Sequence, residues 1–199
     1  VYKRQAEGSY SVLQVADDAL AALALLRKPE NAQRYRVDPT RLSLLGHSLG
    51  GFASLSAGSR DGDLRCVGAI APANFAARAA GIGRGDDDGK AFVEYADSLY
   101  MLRDFDGQRL RQQLLGAAPE QIDTRLFGPG LRGKTVLMVA GDSDAVTVPD
   151  ITFHPVVKAY AREPEIKLLS RVISGDHSFS WSRIALTRLL LDWYSDECR

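Results

Sequence analysis

The sequence has 199 residues, of which 45% are hydrophobic, and its 25 basic and 25 acidic side chains give a formal net charge of zero. A chain of this length folds as one domain or as most of a larger one. The balanced charge argues against nucleic acid or an anionic membrane as partner, and no apolar run reaches the roughly 18 residues of a membrane-spanning helix.

Residues 1–5 have neither an initiator methionine nor the basic, apolar and small-residue regions of a signal peptide. They resemble a translated non-native remnant, and we exclude them from the fold prediction. From residue 9 to 26, apolar residues recur at three- and four-residue spacing, which predicts an amphipathic helix. A short turn at 30–35, which Pro29 starts, and a further turn at 37–39 then lead into an apolar strand at 42–45.

This strand ends in Gly46-His47-Ser48-Leu49-Gly50, which is followed by a helix of small residues. The Gly-x-Ser-x-Gly spacing is typical of a sharp strand-to-helix turn that exposes a nucleophilic serine. Glycines at both ends let neighbouring backbone pass close to the turn, and the helix N-terminus directs the Leu49 N–H toward an oxyanion. The alternative is an ordinary glycine-rich turn in which Ser48 only caps the helix.

Three further apolar segments predict strands at 64–71, 135–140 and 166–173, the last nearer an edge because it alternates in part. Helices are expected at 151–162 and 182–194. The alternation of strands and helices predicts an α/β fold, a mostly parallel sheet with flanking helices. The four strands would place the 42–45 strand at an edge of the sheet.

Residues 75–132 differ in character from the rest, being charged, rich in glycine and mostly helical in pattern. Helices are expected at 91–103, 108–115 and 119–127, with a flexible loop at 81–89. We interpret this segment as a helical cap inserted into the domain. Three adjacent acids, Asp86, Asp87 and Asp88, are expected to be a solvated part of the loop and not a metal site.

The two cysteines, Cys66 and Cys198, are far apart in the sequence. Cys66 lies in a strand-like segment, where we expect it to be a small buried hydrophobic residue. A disulfide between two cysteines cannot be predicted without their geometry, so the compartment stays open.

A serine hydroxyl needs a base to take its proton, and the chain offers three histidines. His177 follows the end of a strand in a glycine-containing loop and is our candidate. His47 is beside the serine but is expected to point elsewhere, and His154 falls in a predicted helix. For the acid that orients the base, Asp142 and Asp144 both follow the strand at 135–140, where ligands of such sheets gather; we prefer Asp144, and a turn or capping role is the alternative for each.

These motifs, together with Val37-Asp38-Pro39-Thr40-Arg41 and Gly175-Asp176-His177-Ser178-Phe179, resemble α/β-hydrolase-fold serine hydrolases. The resemblance covers residues 38–193 and is nearest to the branch shared by prolyl-oligopeptidase-like (S9-type) peptidases and small esterases. It implies the chain order serine, aspartate, histidine, and an acid at the third residue after a glycine, which favours Asp144. The family's second oxyanion donor comes from an earlier loop, often His-Gly, which is not found before Ser9. The resemblance therefore implies an N-terminally truncated hydrolase domain over residues 6–199.

The expected reaction is cleavage of a carboxylic ester through an acyl-enzyme, with Ser48 as nucleophile, His177 as base and Asp144 as the orienting acid. Cleavage of a peptide or other amide bond by an S9-type peptidase is one alternative, and a non-catalytic binding module is another. The reaction needs no cofactor or metal ion, and the expected partner is a small ester or a peptide. We expect the substrate pocket to include His47, Phe92, Tyr95 and Tyr100. The sequence leaves the oligomeric state open.

Overall fold

The computed structural model describes residues 8–198, so the interpretation of residues 1–5 lies outside it. Over that range the chain forms four strands, which we name β1 to β4, and ten α-helices. The strands are β1 (Ser43–His47), β2 (Cys66–Ile70), β3 (Thr135–Gly141) and β4 (Lys167–Ile173). The helices are α1 (Val15–Arg27), α2 (Pro29–Tyr35), α3 (Leu49–Arg60), α4 (Phe75–Arg84), α5 (Asp87–Asp97), α6 (Gly107–Gly116), α7 (Pro119–Ile122), α8 (Pro149–Thr152), α9 (His154–Tyr160) and α10 (Arg183–Glu197), with a 3-10 helix at Thr124–Leu131.

The four strands form one parallel sheet in the order β1-β2-β3-β4. Ser43 is opposite Cys66, which is opposite Thr135, which is opposite Lys167, so the strands start level with one another. Their carboxyl ends consequently meet at one edge of the sheet. This arrangement confirms the predicted α/β class, and β1 and β4 lie at the two outer positions that the sequence predicts for them.

Alternate residues of the central strands pack into cores on opposite faces of the sheet. Val67 and Met138 belong to a large core that includes α3 and the segment 75–131, whereas Leu137 and Val139 belong to a second core on the other face, which includes residues of α10. Both central strands are covered on both faces, which explains why their sequences are continuously apolar.

The segment predicted as a cap is helical, but its helices begin and end at different residues than expected. The predicted loop at 81–89 is wrong, because α4 continues to Arg84 and α5 already begins at Asp87. One left-handed residue, Gly85 at φ 66°, makes the turn between them. Asp86 caps α5, since its carboxylate accepts a hydrogen bond of 2.8 Å from the Gly89 N–H. The division into a sheet domain and a cap stays a prediction.

Cys66 and Cys198 form a disulfide, with Cα atoms 5.9 Å apart. The expectation that Cys66 is only a buried hydrophobic residue was therefore wrong, although the residue is 3% exposed. Helix α10 runs back over the sheet, and its end reaches the start of β2. The bond thus closes a sequence separation of 132 residues.

In the described part of the chain, no helix is both long and apolar enough to cross a lipid bilayer. Among the same residues there is also no group of three or more His, Cys, Asp or Glu side chains that could hold a metal ion.

Candidate active site

Ser48 stands at the turn between β1 and α3 in a strained backbone conformation, with φ 56° and ψ −116°. Such a conformation costs about 1–3 kcal/mol for a residue with a side chain. It is held by hydrogen bonds from the Ser48 N–H to the Ile70 carbonyl (2.9 Å) and from the Ala73 N–H to the Ser48 carbonyl (3.1 Å). Hydrogen bonds to neighbouring backbone on both sides thus hold the turn in this conformation.

The two glycines of the motif differ in how much space they need. A Cβ at Gly46 would lie 2.1 Å from the Gly50 carbonyl oxygen, so only glycine fits there. At Gly50 a Cβ would meet nothing within 4 Å, whereas at Gly51 it would lie 3.0 Å from Pro72. The expected close approach of neighbouring backbone is therefore found at Gly46 and at Gly51, whereas a side chain at Gly50 would meet open space.

Hydrogen bonds link Ser48, His177 and Asp144 in a continuous chain. His177 Nε2 is 3.0 Å from Ser48 Oγ, and His177 Nδ1 is 2.9 Å from Asp144 Oδ2. Ser48, His177 and Asp144 follow β1, β4 and β3, whose carboxyl ends lie at the same edge of the sheet. Leu49 is the first residue of α3, so its N–H has no acceptor within the helix and is available near Ser48.

The carboxylate of Asp144 is buried and receives four hydrogen bonds. Oδ1 accepts from the Val146 and Thr147 N–H groups, each at 2.8 Å, and Oδ2 accepts from Thr147 Oγ1 (2.7 Å) and from His177. Burial by itself raises the pKa of Asp144, but the hydrogen bonds from Thr147, His177 and the backbone outweigh this and hold the pKa below its usual range. The group therefore remains an anion at neutral pH.

Asp142 has a different environment from Asp144. It is exposed, and its carboxylate accepts hydrogen bonds from the Gly175 N–H (3.0 Å) and from Ser143 Oγ (2.9 Å), which hold its pKa below the usual range. The Gly175 contact fastens the loop after β3 to the loop that carries His177. The structure thus places Asp144, and not Asp142, against the histidine ring.

Thr147 is a residue of this site that sequence reasoning missed. It is 5% exposed, and Oγ1 lies 2.7 Å from Asp144 Oδ2, 3.2 Å from the Ala71 carbonyl and 3.3 Å from His177 Nδ1. Its single hydroxyl proton goes to the nearer, charged acceptor, Asp144. The sequence signal was an aspartate followed three residues later by threonine, a spacing that also occurs in ordinary turns.

The other two histidines do not contact Ser48 Oγ through any hydrogen bond between described residues. The His47 ring is exposed, with Nε2 2.7 Å from the His177 carbonyl oxygen and its centroid 4.6 Å from that of the His177 ring. It therefore supports the loop and ring of His177. His154 begins α9 at the surface, 3.8 Å from Asp150.

Of the aromatic residues predicted for the pocket, Phe92 and Tyr95 lie together on α5, with ring centroids 6.3 Å apart. Arg78 of α4 covers the Phe92 ring, and its Nη2 donates a 2.5 Å hydrogen bond to the Val146 carbonyl. Tyr100 is 89% exposed and follows the end of α5, so it lines no enclosed space. A cleft of about 160 Å³ lies between the α4–α5 region and residues 145–152.

Comparison with solved structures establishes that the chain has the α/β-hydrolase fold. It superposes on a puromycin-hydrolyzing peptidase from Mycobacterium tuberculosis with a TM-score of 0.60 and 19% identity, covering 92% of this chain and 25% of that chain. It superposes on Est1E from Butyrivibrio proteoclasticus with a TM-score of 0.63 and 16% identity, covering 94% of this chain and 71% of that one.

A third similar structure is an S-formylglutathione hydrolase from Agrobacterium tumefaciens, with a TM-score of 0.59 and 18% identity over 94% of this chain and 57% of that one. The chain thus spans about a quarter of the peptidase and somewhat over half of the formylglutathione hydrolase. No protein-family model and no curated protein sequence matches the chain. Identities this low establish the fold, and the reaction has to be argued from the site.

Proposed function

We propose that this protein is a serine hydrolase that cleaves carboxylic esters through an acyl-enzyme on Ser48. The observation that carries the proposal is the unbroken hydrogen-bond chain from Asp144 through His177 to Ser48 Oγ. It joins a buried anion, an imidazole and a hydroxyl, the three groups that acyl transfer by serine requires. The strained backbone at Ser48 supports the same role, because strain of this kind gathers at functional sites.

In the first half-reaction His177 Nε2 takes the proton of Ser48 Oγ while the oxygen attacks the ester carbonyl carbon. The Leu49 N–H stabilises the oxyanion that forms. His177 then gives the proton to the departing alcohol, and the acyl group stays on Ser48. In the second half-reaction water attacks the acyl-enzyme with His177 again as base, which releases the carboxylic acid and restores the serine.

Asp144 holds His177 in the tautomer that this reaction needs. With the proton on Nδ1 donated to Asp144 Oδ2, Nε2 carries a lone pair toward Ser48 Oγ. The anionic carboxylate also stabilises the imidazolium that forms in each half-reaction. Thr147 fixes the carboxylate in turn, and His47 holds the His177 carbonyl.

Amide cleavage is the second candidate, because the same groups attack an amide carbonyl and the fold is shared with a puromycin-hydrolyzing peptidase. The expected substrate is a small ester if the protein is an esterase and a peptide if it cleaves amides. A hydrolase-fold module that binds a ligand without catalysis is the remaining alternative.

Labelling with a fluorophosphonate probe tests the proposal, since the probe reacts only with an activated serine. We expect one adduct, located at Ser48 by peptide mass spectrometry, and a loss of ester turnover by several orders of magnitude in Ser48→Ala. Ser98→Ala, which alters an exposed serine at the end of α5, is the control and should label like the parent. Absence of labelling in the folded protein would favour the binding module, and an adduct at another serine would refute the assignment.

A further inference from the structure

Arg78 is a cation without an acidic partner in the cleft beside the candidate active site. It lies half-buried on α4 and lines the cleft together with Val146, Val148 and Ile151. Within residues 8–198, no carboxylate lies within 4.0 Å of its guanidinium nitrogens. Its guanidinium therefore has no anionic partner among the described residues and is free to pair with an anion from outside the chain.

The guanidinium is held in place from two sides. Its carbon lies 4.7 Å from the centroid of the Phe92 ring, and its Nη2 donates to the Val146 carbonyl at 2.5 Å. Arginine carries five N–H donors, and the Val146 contact needs only one of them. Because the group is already immobilised, a ligand that uses the other donors loses little conformational entropy on binding.

Arg78 is tied on both sides to the elements that carry the reacting groups. The Val146 N–H, in the residue whose carbonyl Arg78 contacts, donates to Asp144 Oδ1 at 2.8 Å. Helix α4 begins at Phe75, two residues after Ala73, whose N–H bonds to the Ser48 carbonyl. The segments that hold Arg78 are thus joined by backbone hydrogen bonds to Asp144 and to Ser48, and we expect a substrate on Ser48 to reach the cleft.

Among the described residues, the other charged groups of the cleft form no ion pair with Arg78. Arg84 pairs with Asp86 at 2.6 Å, and that carboxylate also caps α5. Asp88, which also lines the cleft, is exposed on the first turn of α5. The wall opposite α4 is apolar, with Val146 and Ile151 each 50% exposed. The cleft thus offers an apolar surface next to a fixed cation.

We propose that Arg78 binds a carboxylate on the substrate, so that the preferred substrates are esters that carry a carboxylate at some distance from the scissile bond. A carboxylate is planar, and its two oxygen atoms, which share one negative charge, match the paired N–H groups of a guanidinium. This inference rests on the proposed function and adds to it the chemical class of the substrate.

The test compares mono-p-nitrophenyl adipate with p-nitrophenyl hexanoate, which differ by a carboxylate in place of a terminal methyl group. The mono-p-nitrophenyl ester of suberate is used in addition, because the span from Ser48 to Arg78 sets the best length. In Arg78→Met we expect kcat/KM for the better diacid ester to fall about 10- to 100-fold relative to the hexanoate. Arg78→Lys should keep part of the preference, and Arg109→Met, which removes an exposed arginine of α6, should keep all of it.

Equal losses for charged and neutral esters in Arg78→Met would make Arg78 a structural residue and overturn the inference, as would a parent protein that does not favour the diacid ester. Failure of the proposed function looks different, since then neither ester turns over and the fluorophosphonate does not label Ser48. Calorimetric binding of monomethyl adipate to Ser48→Ala, with dimethyl adipate as the neutral control, tests the Arg78 contact without turnover. Tighter binding of the monoester that is lost in the Arg78→Met background supports the inference, and equal binding of both refutes it.

Discussion

Replacing Asp144 by asparagine tests the proposed mechanism most directly, because the surroundings fix how the new amide must orient. The two backbone N–H groups at 2.8 Å from Oδ1 require an acceptor and therefore keep the amide oxygen at that position. The amide NH2 then takes the place of Oδ2, 2.9 Å from His177 Nδ1. The Thr147 hydroxyl can rotate to accept from the amide, so the fold is retained.

An NH2 group facing Nδ1 donates to it and so forces the proton of His177 onto Nε2. That proton points at Ser48 Oγ, and the histidine cannot act as base. Loss of the correct tautomer costs about 10⁴-fold in kcat, which is about 5.5 kcal/mol in the activation barrier. We expect this loss in kcat for p-nitrophenyl hexanoate, with a KM close to that of the parent protein.

Asp142→Asn is the matched control, since it makes the same chemical change two residues away. Asparagine at 142 can still accept from the Gly175 N–H, so we expect kcat to fall less than about 10-fold. Circular dichroism and thermal melting of both variants establish that they are folded. If Asp142→Asn proved as costly as Asp144→Asn, or if Asp144→Asn lost less than about 10-fold, the assignment of the acid would be refuted.

Two further predictions concern residues outside the three reacting groups. Thr147→Val removes the hydroxyl that donates to Asp144 and should lower kcat about 10-fold, whereas Thr147→Ser should keep kcat near that of the parent. In an Asp144→Asn background, Thr147→Val should lower kcat no further. Additive losses in this double-mutant cycle would show that the threonine acts independently of the aspartate. Cys198→Ser removes the disulfide to Cys66 and should destabilise the protein by about 2–4 kcal/mol, with a melting temperature roughly 5–15 °C lower. A reducing agent should lower the melting temperature of the parent equally and leave that of the variant unchanged. A parent whose melting temperature does not respond to the reducing agent would refute a stabilising role of the disulfide.

The sequence by itself predicted the features that depend on a few neighbouring residues. The Gly-x-Ser-x-Gly spacing after an apolar strand predicted the turn at Ser48, because only glycine at 46 leaves room for the Gly50 carbonyl. Continuous apolar segments predicted the two central strands, since both of their faces are covered. The small number of histidines, together with the position of His177 after a strand, made it the candidate base, and the structure places its ring between Ser48 and Asp144.

Tertiary structure decided what depends on contacts between distant segments. Asp142 and Asp144 follow the same strand, and only the packing of the 145–147 turn against Ala71 and His177 makes one of them a buried, hydrogen-bonded anion. The disulfide requires the end of α10 to reach the start of β2, which no local pattern encodes.

In the sequence Arg78 looks like any arginine on a helix surface, and only the folded chain brings it into contact with Phe92 of α5 and with the loop after β3. The prediction of a loop at 81–89 was wrong for a local reason, because the single left-handed residue Gly85 is enough to turn the chain between two helices. Backbone requirements are local and leave a mark in the sequence, whereas the environment of a side chain is set by segments that meet only when the chain has folded.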